Sequence, residues 1–185
     1  MFRILYLWIR KYLLHIDDRS LLEIAISNGL TIGENCHIMG ECIIDPGHCW
    51  LISIGNNVTL APRVHILAHD ASTKKELGYT VIGRVTIGNN VFIGAGSIIL
   101  PNVTIGDNVI IGAGSVVARS VPSNKVVAGS PIRVIADYSD YMEKRKEQMK
   151  HAPLFDSSYT ITQITDDKKN EMKDKLNNDT LGFIK

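Results

Sequence analysis

Ile-Gly-Asn-Asn-Val-Phe-Ile-Gly-Ala-Gly-Ser-Ile-Ile-Leu-Pro-Asn-Val-Thr-Ile-Gly-Asp-Asn-Val-Ile-Ile-Gly-Ala-Gly-Ser-Val-Val, residues 87–117, repeats itself every six residues. Ile87, Ile93, Ile99, Ile105, Ile111 and Val117 hold one position, and Val91, Ser97, Val103, Val109, Ser115 and Val121 hold the position four residues on. Glycine follows the first position at Gly88, Gly94, Gly106 and Gly112. The same beat runs upstream at Ile32, Ile38 and Ile44, then at Ile54, Leu60 and Ile66. A helix would space its apolar residues by three and four, and a sandwich strand would alternate every two without glycine at fixed intervals. A period of six fits a very short strand followed by a tight corner. β-Branched residues suit the strand. Gly, Asn and Asp suit the corner because they tolerate positive φ. Each unit buries almost nothing alone, and stacking produces a continuous apolar ladder.

The composition agrees with thin repeated layers. Only 6% of the 185 residues are aromatic, too few rings to fill a conventional sandwich core. A formal charge of +1 gives no concentrated basic surface, which argues against a nucleic-acid partner. Cys36, Cys42 and Cys49 are odd in number and no secretory signal precedes them, so a disulfide framework is not expected and a reducing cytoplasm is. Cys36 and Cys42 fall in the small inward position of the repeat and read as buried thiols. Met1–Leu14 mixes Phe2, Leu5, Trp8 and Ile9 with Arg3, Arg10 and Lys11; it is too short and too charged to span a bilayer. It reads as a helix capping the first coil, with peripheral association with a membrane surface as the alternative. The expected organisation is an N-terminal helical cap (1–29), a β-helix (30–136) with an inserted loop (68–84), and a C-terminal helical extension (137–185). Helices are expected at Asp137–Met149, covering the last layer, and around Asp166–Leu176.

Breaks in a strict repeat are where function is expected. Ile44 and Ile54 are ten residues apart instead of twelve, around Asp45-Pro46-Gly47-His48-Cys49-Trp50. Either a packing bulge sits there, or Asp45, His48 or Trp50 lines a pocket for an acceptor. Ile66 and Ile87 are 21 residues apart. The polar stretch between them, Ala68 to Tyr79, is expected to leave the coil as a loop that opens with His69.

Residues 87–97, 105–117 and Val-Val-Ala-Gly-Ser-Pro-Ile-Arg-Val-Ile (126–135) resemble the hexapeptide-repeat acyltransferases, above all the maltose/galactoside O-acetyltransferase branch and enzymes that acetylate surface polysaccharides. The resemblance covers about residues 30–136. It implies a left-handed parallel β-helix, against the usual right-handed crossover preference. It also implies a homotrimer with active sites between neighbouring subunits, and acetyl-CoA as co-substrate with no metal requirement. His69 matches the family's catalytic base, which takes the proton from an acceptor hydroxyl as it attacks the thioester. Asp70, Asp45 or a backbone carbonyl would fix the imidazole tautomer. The resemblance assigns the oxyanion to the Ala95 N–H, the pantetheine arm to Ala95 and Ala113, and the nucleotide end of CoA to Ala118, Arg119, Lys125 and Arg133. The acceptor-binding position falls near Glu41, with His48, Trp50 and Tyr79 as further acceptor candidates.

The expected reaction is transfer of an acetyl group to a saccharide hydroxyl. N-acetylation of an aminosugar or other amine needs the same base and stays open. A γ-type carbonic anhydrase would need three converging histidines, and beside His65 and His69, four residues apart, the sequence offers no convincing third ligand.

Overall fold

A strand of two or three residues and a corner of three or four make up each hexapeptide. The computed structural model describes residues 20–176 and 180–185; the segment Met1–Leu14 lies outside the described residues. The core is a left-handed parallel β-helix with three flat faces. The first face stacks Thr31–Ile32, Ile52–Ile54, Val85–Ile87 and Val103–Ile105. The second stacks His37–Ile38, Thr59–Leu60, Phe92–Ile93, Ile110–Ile111 and Lys125–Ala128, with Arg133–Asp137 at its edge. The third stacks Ile43–Ile44, His65–Ile66, Ile98–Ile99 and Val116–Val117.

The register places like on like. Ile32, Ile54, Ile87 and Ile105 are successive partners on the first face. Ile38, Leu60, Ile93, Ile111 and Val127 are partners on the second. Ile44, Ile66, Ile99 and Val117 are partners on the third. From Ile52 to Ile111 these ladders are sealed from solvent. Each such side chain contributes about 1.5–3 kcal/mol by leaving water.

The corners obey a different chemistry. Asn35, Asn57, Asn90, Asn108 and Asn124 all take the left-handed conformation, with φ between 54° and 62°, at the corner between the first and second faces. Their amides hydrogen-bond one to the next along the axis at 3.0–3.3 Å. Asparagine is the non-glycine residue best able to hold this conformation, and here its side chain also satisfies its neighbour. Gly88 is required for space: a Cβ there would stand 2.5 Å from Asp107 Oδ1 and 2.9 Å from the Asp107 nitrogen.

Both large interruptions occupy one edge of the prism, between the third face and the first. Ile44 and Ile54 are successive rungs of the spiral, so ten residues replace a single six-residue step. The sequence reading of ten in place of twelve is corrected accordingly: the corner is enlarged by four residues and the coil register is kept. The extra residues form a 3-10 turn, Cys49–Leu51, whose Cys49 is fully buried with its Sγ 3.5 Å from the Ala25 carbonyl. Ala25 belongs to the helix Leu21–Ser27, which begins with a capping box between Ser20 and Glu23. Cys36 and Cys42 are half-buried, with Sγ near the carbonyls of Gly55 (3.1 Å) and Ala61 (3.2 Å).

The chain divides at Ala136 into two units. The second, residues 137–185, contains the helices Tyr138–His151 and Asp166–Lys175 and a short parallel pair of Leu154–Phe155 with Phe183–Ile184. Phe155 is buried within it, and Tyr159 donates its hydroxyl to Glu171. Among the described residues no helix is long and apolar enough to cross a membrane.

Candidate active site

Two enlarged corners stacked on one edge bring distant residues together. Register partner Ile66 lies beside Ile44, so the residues that follow them leave the third face side by side, and the Asp45 N–H donates to the Ile66 carbonyl at 2.8 Å. The Asp45 carboxyl turns inward and is completely buried. One oxygen accepts from the backbone of Gly47 (3.0 Å) and His48 (3.1 Å). The other accepts from the backbone of Ala68 (2.8 Å) and lies 2.5 Å from Nδ1 of His69.

Burial alone would push the Asp45 carboxyl up. The hydrogen bond with His69, the Ala68 and Gly47 N–H groups, and attraction to the imidazole outweigh it and hold the carboxyl below its ordinary value. Asp45 is therefore a carboxylate at neutral pH and can only accept. Nδ1 of His69 must therefore donate, and in the neutral ring this tautomer leaves the lone pair on Nε2. No partner bonds Nε2 among the described residues, and the His69 side chain keeps 36% of its surface exposed.

The insertion that carries His69 is more ordered than a loop. His69–Asp70 pairs antiparallel with Val81–Ile82, His69 opposite Ile82, and the Gly83 N–H closes the ladder on the Ala68 carbonyl at 2.9 Å. One helical turn, Lys74–Leu77, ends at Gly78 with φ 73°. The insertion expected as a loop over 68–84 holds a two-stranded hairpin, which the sequence reading did not anticipate. The apolar pair Val-Ile at 81–82, following the glycine, is the signal that carried it.

Of the three candidates for the partner of the ring, Asp45 is the one that contacts Nδ1; Asp70 instead accepts from the Ser72 backbone at 2.8 Å. His48 lies beside the pair, its ring centroid 5.0 Å from that of His69 and 5.4 Å from that of Trp50. His48 Nδ1 is buried without a hydrogen-bond partner. Trp50 is exposed, as is Tyr79, whose carbonyl accepts from the Thr73 hydroxyl at 2.9 Å. Glu41 stands at the corner between the second and third faces with φ 63°, and its carboxylate faces Arg63 at 3.9 Å. His65 lies in register with Ile43 and Ile98 on the third face, so the imidazole brought to His69 is His48 and not His65. The ligating atoms of Asp45, His48 and His69 all lie within 4.8 Å of one another.

Ala95 and Ala113 occupy the corner between the second and third faces, one coil apart, and the Ala95 carbonyl accepts from the Gly114 N–H at 2.8 Å. Their own N–H groups have no acceptor among the described residues. This is a different edge from that of His69, and a single chain does not bring Ala95 and His69 together. Ala118 and Arg119 lie on the His69 edge, two coils further along, about 10 Å at the usual strand spacing. Arg119 donates to the Ile132 carbonyl at 2.8 Å and lines a cleft of about 160 Å³ with Arg133 and Pro122. Lys125 opens the strand next to the edge of the second face and is half-buried.

Residues 84–119 match the family described as bacterial transferase hexapeptide (six repeats). The chain is 40% identical to Protein CapG of Staphylococcus aureus over 141 residues, 73% of this chain and 82% of that protein. It is 45% identical to galactoside O-acetyltransferase of Escherichia coli (strain K12) over 120 residues, 63% of this chain and 58% of that enzyme. Among solved structures, a maltose O-acetyltransferase from Clostridium difficile 630 superposes with a TM-score of 0.52 at 45% identity, covering 57% of each chain. The chain thus spans somewhat under three fifths of the length of these two sugar acetyltransferases.

Proposed function

The chain belongs to the hexapeptide-repeat acyltransferases, and on that premise we propose that it transfers an acetyl group from acetyl-CoA to a hydroxyl of a saccharide. The observation that carries this reading is the Asp45–His69 pair, with its bonded Nδ1 and its open Nε2. An alcohol attacks a thioester only as its proton leaves. Nε2 takes that proton, and Asp45 offsets the charge that appears on the ring. The hydroxyl oxygen forms a bond to the acetyl carbonyl carbon, the C–S bond breaks, and CoA departs as the thiolate, to be protonated by the imidazolium or water. The step uses side chains and backbone alone.

The carbonyl oxygen becomes an oxyanion in passing. The unpartnered Ala95 N–H is suited to receive it. Ala95 and His69 lie on different edges of one prism, so this reading needs a neighbouring subunit to supply Ala95, as the proposed homotrimer would. The Ala113 N–H, one coil further, would hold an amide of the pantetheine arm. Arg119, Arg133 and Lys125 supply cations for the phosphates of CoA. Trp50 presents an exposed ring next to His48, fit to stack on the apolar face of a sugar, and Tyr79 is a second exposed ring carried by the His69 hairpin. Glu41, on the same edge as Ala95, would reach the acceptor only from a neighbouring subunit.

The test is CoA release from acetyl-CoA over a panel of sugars and aminosugars, comparing the wild type with His69→Ala. A fall of about 10²–10⁴-fold in kcat with acetyl-CoA binding retained supports the reading. Equal rates in the two proteins overturn it. The panel separates hydroxyl from amine acceptors.

A further inference from the structure

The enlarged corners collect one carboxylate and two imidazoles in a space smaller than their chemistry needs. Asp45 is fully buried and anchored by the N–H groups of Gly47, His48 and Ala68, so its oxygens cannot turn away. His48 Nδ1 is buried, has no hydrogen-bond partner and lies 3.9 Å from Asp45 Oδ1. His69 Nδ1 reaches the other oxygen at 2.5 Å. A buried unpaired ring nitrogen is unusual enough to need a reason, and general-base catalysis by His69 does not use it.

We propose that Asp45, His48 and His69 form a three-ligand site for a zinc-like divalent cation, and that the ion switches the His69 base off. The switch rests on the function proposed above; the site does not. Two imidazoles and one carboxylate with an open fourth position form a donor set suited to zinc. Ligand bonds of about 2.0–2.2 Å place donor atoms about 3.3–3.6 Å apart in a tetrahedron. The present spacings, from 2.5 Å up to 4.8 Å, bracket that value, and rotation of the two rings about χ1 and χ2 adjusts them.

The consequence for His69 follows from counting lone pairs. A neutral imidazole has one proton and one free lone pair on its two nitrogens. In the metal-free pair the proton is on Nδ1 and the lone pair on Nε2. A cation bound at Nδ1 takes the lone pair of that nitrogen, and the displaced proton moves through solvent to Nε2. No proton is released from the neutral ring, but Nε2 becomes a donor and can no longer accept from a hydroxyl. His48 is then a ligand whose role is separable from the chemistry.

The experiment uses the full chain freed of metal with a chelator. Cobalt(II) is titrated in while its visible ligand-field absorption is followed, and zinc then competes it away. The wild type is expected to bind one ion per chain. His48→Phe keeps a ring packed between Trp50 and His69 but has no donor, and is expected to bind at least tenfold more weakly, with an unchanged melting profile to show that it folds. His48→Gln is the second variant should the phenylalanine fail to fold. ¹⁵N-histidine NMR of the zinc-saturated wild type is expected to show the His69 proton moved from Nδ1 to Nε2. In acetyl transfer, zinc is expected to inhibit the wild type at the concentrations that saturate the titration, and to inhibit His48→Phe tenfold less relative to its own metal-free rate. Absence of a one-to-one cobalt spectrum, or equal affinity in wild type and variant, overturns the site. Binding without the proton shift overturns the switch. If the metal-free protein transfers no acetyl group, the functional reading fails, while the cobalt and NMR measurements still decide the ion site.

Discussion

His69 Nδ1 and Asp45 Oδ2 stand 2.5 Å apart although 24 residues separate them in the chain. The pairing of Ile44 with Ile66 sets this distance, because the two residues leave the third face from adjacent coils at the same edge. One pair of stacked isoleucines thus aligns the dyad.

Asp45→Asn keeps the shape of the side chain and puts its charge out. An amide can present either an N–H or a carbonyl to Nδ1, so the tautomer with Nε2 free is no longer enforced. The expected loss in kcat is about 10²–10⁴-fold with acetyl-CoA affinity little changed, measured by steady-state CoA release.

The same substitution tests a pH dependence. The folded-state carboxyl of Asp45 is held below its ordinary value of 3.8. Its contribution to stability is therefore complete above the unfolded value and is lost as pH falls through the lower, folded one. Urea denaturation across the acidic range is expected to show a steeper loss of stability on acidification in the wild type than in Asp45→Asn.

Ala95→Pro removes a single N–H, the one assigned to the oxyanion. The coil itself shows that the position tolerates proline: Leu60 is in register with Ile93, which places Pro62 at the same corner one coil earlier. The expected result is a fall of about 10²–10³-fold in kcat, with a melting temperature close to the wild type. A large loss of stability would mean that the corner differs from its neighbour.

Asn90 separates the two functions of the asparagine ladder. Asn90→Ala loses both side-chain hydrogen bonds, to Asn57 and Asn108, and leaves a Cβ residue at φ 55°. Asn90→Gly loses the bonds alone. Chemical denaturation is expected to show a cost of about 2–3 kcal/mol for alanine and about 1 kcal/mol for glycine. Ile111→Ala, on a fully buried rung, is expected to cost about 2–5 kcal/mol in the same measurement.

The regular part of the fold was legible because each hexapeptide repeats one local solution. Ile93 and Ile111 could be assigned to equivalent positions of the repeat from spacing, their stacking in one ladder followed only from the coil that the family resemblance implied, and the glycines and asparagines marked the corners. His69 was legible as the residue opening the largest interruption. The partner of its ring was open between Asp45 and Asp70, because what decides it is which coil corner stacks on which. That depends on reading the ten residues from Ile44 to Ile54 as one long step, and a count along the chain does not distinguish a long step from a shortened double one. The place of His48 between Trp50 and His69 was hidden for the same reason. The hairpin under His69 was missed because strands of two residues carry no periodicity, and only Gly78 and the Val81-Ile82 pair hinted at a return.

A double-mutant cycle on acetyl transfer most directly tests whether Asp45 and His69 act as one base. Single-turnover rates would be compared for the wild type, Asp45→Asn, His69→Ala and the double variant. Groups that act as a unit are strongly non-additive. The double variant is expected to be no slower than His69→Ala. Losses that multiply, with the double variant slower by the full Asp45→Asn factor, would contradict the account.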